Sequence, residues 1–186
     1  DRIVVHETTR RVLVLQHPQE QDALLGSAQI LVASLPKVKL VVGLSWRSLG
    51  HALGEENVDA RRWAVLFPDR EAEGERVATR SGAEVDPKAL EGVVAIDGTW
   101  SKAKTLWWRN PWVLKLKRLM LAPASPSLYR ELRREPRKEC LSTIEAIAEV
   151  LDALGEPAET SAHLRSSFGD LLTRYRALHQ NRKKKN

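Results

Sequence analysis

One cysteine, Cys140, stands in a chain of 186 residues. A lone cysteine excludes an internal disulfide and a zinc cluster built from cysteines. It also fits a reducing compartment, so a cytoplasmic location is expected. Phe and Tyr are scarce, with 2 of each, and Met occurs once. No apolar run approaches the length of a membrane span, and no signal peptide is visible. The chain opens on Asp1 rather than Met, which reads as a trimmed start. Glycine-rich phosphate loops, zinc motifs and nucleophile elbows are missing, as are internal repeats and interdomain linkers.

What is present is a soluble globular balance of 42% hydrophobic and 29% charged residues. The length suits one domain spanning 1–186, with a basic tail at 182–186. A domain near this size hides roughly two-thirds of its unfolded surface. Lys plus Arg number 30 against 24 Asp plus Glu, a net charge of +6. That excess favours a polyanionic partner. Trp, with 6 copies, outnumbers Phe and Tyr together.

Short apolar runs alternate with amphipathic stretches. Arg11–Gln16, Leu40–Leu44, Arg62–Phe67 and Gly92–Asp97 read as buried strands, β-branched and apolar. Pro18 and Pro68 close two of them, because proline cannot donate to the ladder. Leu114–Leu121 reads as a further strand with an exposed face, since Lys alternates with apolar residues. Helices are expected over Gly26–Leu35, Trp100–Asn110 (stopped by Pro111), Ile144–Leu154 and Leu164–Leu178. In the third of these helices Ile144, Ile147, Ala148, Leu151 and Leu154 share a face, with Glu145, Glu149 and Asp152 opposite. In the fourth, Leu164, Phe168, Leu171, Leu172, Tyr175 and Leu178 form the apolar stripe. Glu71–Lys88 is polar and fits a weak helix or a loop. Such alternation implies an α/β fold with a mostly parallel sheet flanked by helices and ending in two helices.

Ligands of open α/β sheets bind beyond the carboxyl ends of the strands. Among those ends, only Asp97-Gly98-Thr99-Trp100 joins a carboxylate, a flexible glycine and a helix start. Asp97 is placed to act as a base or to hold a cationic ligand; equally, Asp97 or Thr99 serves as the cap of the following helix. Ser142-Thr143-Ile144-Glu145 matches the capping box, and a capped helix start also offers backbone N–H groups to a carboxylate or phosphate. His17 sits at a strand end, and the remaining histidines lack metal-ligand spacing, so no metal is expected. Trp100, Trp107, Trp108 and Trp112 crowd one helix. Such clusters are usually core, but a protruding Trp beside basic residues can stack on a base. Arg130, Arg133, Arg134, Arg137 and Lys138 form a candidate phosphate track, and so does the tail with Arg182, Lys183, Lys184 and Lys185.

Three segments taken together resemble the DTW-domain family: Gln16-His17-Pro18-Gln19-Glu20, Ile96–Lys104 around Asp97-Gly98-Thr99-Trp100, and Leu141-Ser142-Thr143-Ile144-Glu145-Ala146. Their order and wide spacing also fit. Gly26–Pro36 and Val42-Gly43 are similar to the blocks between them. The resemblance implies a tRNA-uridine aminocarboxypropyltransferase, which moves the 3-amino-3-carboxypropyl group of S-adenosylmethionine to N3 of a uridine in tRNA and releases methylthioadenosine. It also implies a SPOUT-related fold with a C-terminal trefoil knot, which periodicity does not reveal. Many members carry a cysteine-rich segment upstream of the first strand; this chain does not, consistent with a trimmed start or a shorter branch.

Carried onto this chain, the resemblance makes Asp97 the catalytic residue. It assigns Gly98, Thr99, Trp100, Leu141, Ser142, Thr143 and Glu145 to the S-adenosylmethionine pocket, the first turn after Ser142 gripping the donor's carboxylate. Glu145 would pair with the ammonium unless its capping role uses it. Arg133, Arg134, Arg137, Lys183 and Lys184 are expected to meet tRNA phosphates. The rival readings are a SPOUT-type RNA methyltransferase, which differs only in how the donor is turned, and a basic RNA-binding module without catalysis.

Overall fold

A computed structural model describes residues 4–21, 27–68, 76–121, 128 and 142–183. Seven strands form one sheet in the order β2-β1-β6-β3-β7-β4-β5. They are β1 (Arg11–Gln16), β2 (Val38–Val42), β3 (Trp63–Pro68), β4 (Arg76–Ala78), β5 (Glu84–Val85), β6 (Gly92–Asp97) and β7 (Lys117–Leu121). The five strands β2, β1, β6, β3 and β7 run parallel, and β4 and β5 add an antiparallel edge. The helices are α1 (Ser27–Ser34), α2 (Leu49–Leu53), α3 (Trp100–Arg109), α4 (Thr143–Ala153) and α5 (Ala158–Lys183). An α/β fold with a mostly parallel sheet is therefore observed.

The central strands are apolar throughout because both faces are covered. Val12 and Val14 of β1 pack with α1, α4 and α5 through Leu31, Ile144, Ile147 and Phe168. Leu13 and Leu15 point the other way, to Leu49, Leu53, Val113 and Trp63. This alternation follows from the period of two in a strand.

Trp63 and Gly92 are register partners across β3 and β6. A Cβ on Gly92 would lie 2.6 Å from the Trp63 ring, so glycine is what lets the indole lie over the strand. Gly92→Ala is expected to destabilise the fold by roughly 1–3 kcal/mol through overpacking, read as a lower urea midpoint at unchanged slope.

Several expectations need correction. The second strand begins and ends two residues earlier than the apolar run suggests, at Val38–Val42. Leu114 and Lys115 belong to a 3-10 turn, Pro111–Lys115, ahead of β7. β7 has no solvent face of the kind its alternating lysines imply: it pairs with β3 and β4, and Leu119, Met120 and Leu121 are all buried. Within Glu71–Lys88, β4 and β5 appear where no strand pattern shows, completed by pairing with β7 rather than by local propensity. Leu178 is 67% exposed, so the stripe on α5 reaches only to Leu172 and the half-buried Tyr175. Among the described residues, no helix is long and apolar enough to cross a membrane.

Candidate active site

β1 and β6 lie side by side at the centre, and between them the chain order reverses: β2 lies beyond β1, and β3 beyond β6. A crevice outside the carboxyl ends of the strands is expected at such a switch point. The two strands end on register partners, Gln16 and Asp97. The third participant is the start of α4, far away in sequence.

Asp97 sits half-buried at this junction. Its Oδ2 accepts a hydrogen bond from Gln16 Nε2 at 2.7 Å. Its Oδ1 accepts one from Thr143 Oγ1 at 2.5 Å. The strand end, the first motif and the capping box thus meet on one carboxylate. A carboxylate has about four lone-pair sites, so both oxygens keep capacity for a ligand. Gln16, only 1% exposed, leaves its Oε1 without a partner, so an unused acceptor lies buried beside Asp97.

Neither Asp97 nor Thr99 caps α3, which corrects the structural role available to them. Thr99 occupies the N-cap position with no side-chain cap. Instead Glu20, 8% exposed, reaches across from the turn after β1. Its Oε1 accepts from Thr99 N at 3.4 Å and from Lys102 Nζ at 2.8 Å. A carboxylate at a helix N-terminus opposes the positive end of the dipole, and here it also neutralises a lysine in that first turn. Gly98 is needed for the tight bend. A Cβ there would come within 3.1 Å of the Lys102 Cβ and 3.4 Å of Ala103 N. His17, proposed as a strand-end residue, donates its backbone N–H to Asp97 O at 3.1 Å. Its Nδ1 accepts from Gln19 N at 3.2 Å.

The capping box at α4 is complete. Ser142 Oγ accepts from Glu145 N at 3.3 Å, while Glu145 Oε2 accepts from Ser142 N at 2.9 Å and from Ser142 Oγ at 2.6 Å. Glu145 Oε1 accepts from Leu128 N at 2.7 Å. Glu145 is therefore 7% exposed rather than on the outer face of its helix, and its carboxylate is engaged structurally. The Ser142 and Thr143 hydroxyls are likewise committed, to Glu145 and Asp97. What the first turn still offers is backbone: the N–H groups of Thr143 and Ile144 have no acceptor within the helix, and the positive dipole end points toward Asp97's side of the cleft.

Of the sequence-derived set, the structure brings together Asp97, Gly98, Thr99, Ser142, Thr143 and Glu145, with Trp100 at the rim and 54% exposed. Leu141, Arg130, Arg133, Arg134, Arg137, Lys138, Cys140 and Lys184, and the side chains of Arg182 and Lys183, lie outside the described residues. Sequence reasoning placed Gln16 and Glu20 in a motif but missed what they do. The available signal was a polar residue, Gln16, ending a strand buried along its whole length.

A separate cavity of about 320 Å³ opens at the opposite, amino-terminal edge of the sheet. Arg11 there pairs with Glu55 at 2.5 Å and with Glu91 at 3.4 Å, and Arg62 with Glu91 at 3.6 Å. The Glu55 hydrogen bond raises the Arg11 pKa, and Arg11 holds Glu55 below its usual value. Arg10, Lys37 and Lys88 also line it, and none of the three matched segments reaches it. The catalytic candidate is the carboxyl-end junction around Asp97, not this cavity. Among the described residues, no group of three or more His, Cys, Asp or Glu side chains gathers in metal-binding fashion.

Three curated proteins of one name match part of this chain. The chain is 31% identical over 144 residues to tRNA-uridine aminocarboxypropyltransferase 2 of Macaca fascicularis, covering 76% of this chain and 46% of that protein. The Drosophila melanogaster protein of the same name is 31% identical over 147 residues, covering 77% and 56%. The Mus musculus protein is 28% identical over 156 residues, covering 80% and 49%. This chain thus spans about half the length of the curated relatives it matches. No solved structure matches it. The DTW domain pattern matches residues 2–176, which takes in the strand-end carboxylate, its two hydrogen-bond donors and the capped start of α4, and the chain belongs to the DTW domain family.

Proposed function

We propose that this chain transfers the 3-amino-3-carboxypropyl group of S-adenosylmethionine to N3 of a uridine in tRNA. The observation that carries the reading is the hydrogen bond from Thr143 to Asp97, which joins two family motifs across 46 residues of chain at the carboxyl ends of the central strands. The names of the relatives supply the reaction class.

In the transfer, a bond forms between uridine N3 and the γ-carbon of the methionine arm. The bond from that carbon to sulfur breaks, its electron pair stays on sulfur, and methylthioadenosine leaves. The N3 proton goes to a base. A sulfonium is already a good leaving group, so placement is the protein's main contribution, worth roughly 7–11 kcal/mol when geometry is right. The γ-carbon, not the methyl, must face the RNA, so the amino acid end has to be held. That end is a zwitterion. The α4 first turn suits its carboxylate. With Glu145 engaged in the cap, Asp97 is the nearest carboxylate able to face either the ammonium or the N3 proton. Gly98 and Thr99 line the bend, and Trp100 walls the rim.

The same reading includes a SPOUT-like arrangement with a C-terminal knot, which rests on the family resemblance. It includes tRNA phosphate contacts from Arg133, Arg134, Arg137, Lys183 and Lys184, Leu141 in the donor pocket, no metal, and action in the cytoplasm. The deciding experiment incubates the chain with tRNA and S-adenosylmethionine and identifies the nucleosides by mass spectrometry. An aminocarboxypropyl uridine is expected, with methylthioadenosine as co-product. A methylated nucleoside would make the chain a methyltransferase, and tRNA binding without donor consumption would make it a binding module.

A further inference from the structure

The six tryptophans divide into two kinds. Trp63 is fully buried, and Trp46, Trp107 and Trp112 pack against the core cluster beneath β1 and β6. Trp100 and Trp108 stand out, 54% and 68% exposed. Both belong to α3, eight residues apart, which is about 12 Å along the axis at 1.5 Å per residue. At about 100° per residue they lie roughly 80° apart around the helix, with Lys104 between them. The outer face of α3 therefore reads Trp100, Lys104, Trp108, and the exposed Arg109 lies about 100° further round from Trp108. Its inner face, centred on Leu106, is buried.

Exposing an indole that far forfeits the burial an aromatic normally gains. The charges on α3 are as unbalanced as its aromatics: its sequence, WSKAKTLWWR, has no acid. Lys104 and Arg109 are exposed and form no ion pair among the described residues. A lysine in the first half of a helix gains nothing from the dipole. Arg109, in the last turn, suits the dipole; folding accounts for neither the exposed Trp108 nor Lys104.

We propose that the outer face of α3 is the docking surface for the nucleotides next to the target uridine, with Trp108 stacking on an unpaired base and Lys104 and Arg109 meeting the adjoining phosphates. This rests on the reading of the chain as a tRNA-uridine transferase. Three observations favour RNA over a protein partner or a second copy of the chain. The patch pairs flat aromatic surface with uncompensated positive charge, the combination that holds single-stranded nucleic acid. It continues directly from the site, since α3 starts three residues after Asp97. The platform is also held firmly at both ends, by Glu20 at Thr99 and by Asn110 at the other terminus. A fixed aromatic loses little freedom when a base settles on it.

The test measures affinity of the full chain for tRNA by anisotropy, together with the KM for tRNA in the transfer assay. Trp108→Ala is expected to weaken affinity and raise the KM about tenfold. Trp108→Phe should recover most of both, because a smaller ring still stacks. Lys104→Ala with Arg109→Ala should flatten the salt dependence of binding by about 0.7 per lost phosphate contact. Wild-type tRNA affinity and KM in Trp108→Ala, with transfer intact, would overturn the docking surface and leave the transferase reading standing. Weakened tRNA binding in Trp108→Ala, alongside a wild-type chain that binds tRNA but transfers nothing, would keep the surface and remove the reaction. A change in self-association alone, with tRNA affinity untouched, would assign the face to a second copy and overturn the proposal.

Discussion

Asp97→Asn is expected to lower transfer by a factor on the order of 10²–10⁴, the usual worth of a positioned acid–base group, with the urea midpoint nearly unchanged. Asparagine fills the same space. Its Oδ1 can still accept from Gln16 Nε2, and its Nδ2 can donate to Thr143 Oγ1, so both struts seen at 2.7 and 2.5 Å have replacements. What disappears is the negative charge. Asp97→Ala is a poorer test, because it strands the Gln16 amide, which is 1% exposed and already short of a partner at Oε1. Leaving that donor unpaired costs roughly 1–3 kcal/mol, so Ala is expected to lose stability as well as activity. The Asn variant also separates two roles. If Asp97 takes the N3 proton, the loss falls on kcat, donor affinity holds, and residual turnover climbs with pH as the proton leaves to solvent. If Asp97 holds the ammonium, donor affinity falls instead. Near-normal turnover with unchanged donor affinity would remove Asp97 from both.

The parts of this arrangement that were legible in the sequence are those written locally. β1 and β6 show as apolar runs closed by His17-Pro18 and by Asp97-Gly98, and they are found at those bounds. The capping box at Ser142 announces a helix start by its own spacing and is complete in the structure. The elements that escaped, β4, β5 and the five-residue α2, are short and owe their existence to neighbours. β4 and β5 pair with β7 and with each other, and α2 is pinned by Ser48 and by a left-handed Gly54.

The site was legible as residues but not as roles. Thr99 looked like a cap because local spacing favours it; the real acceptor, Glu20, is 79 residues away and reaches α3 only because β1 and β6 are neighbours. Glu145 was drawn on a solvent face because its helical phase puts it there. Leu128 N and the Ser142 cap bury it instead. Spacing tells which side chains share a face of one element. It carries no information on which carboxylate a parallel register will set beside an amide.

The second large effect is expected at a residue with no catalytic part. Asn110 is fully buried and closes α3 with three hydrogen bonds from one side chain. Its Oδ1 accepts from Trp46 N at 2.8 Å, and its Nδ2 donates to Leu106 O at 2.8 Å and to Leu44 O at 3.1 Å. The helix end is thereby tied to the loop after β2, and Trp112 Nε1 adds a bond to Trp46 O at 2.9 Å. Asn110→Ala removes all three bonds and leaves the buried Leu106 carbonyl and the half-buried Trp46 N–H and Leu44 carbonyl to find partners. At roughly 1–3 kcal/mol for each unmade bond, discounted because neighbouring losses overlap, about 3–4 kcal/mol of stability should go. Asn110→Asp decides whether the cause is hydrogen bonding or volume. It keeps the shape and the acceptor for Trp46, yet turns a carboxylate oxygen toward two carbonyls. Hydrogen bonding as the cause predicts that Asp is at least as damaging as Ala; volume predicts that Asp is nearly silent. Denaturant midpoints of the two variants separate these outcomes. Because Asn110 sits at the far end of α3 from Asp97, tRNA affinity should suffer more than donor affinity in whatever fraction of either variant remains folded. The reverse order would mean that α3 moves as a rigid rod hinged at Trp108's end and not at Glu20's.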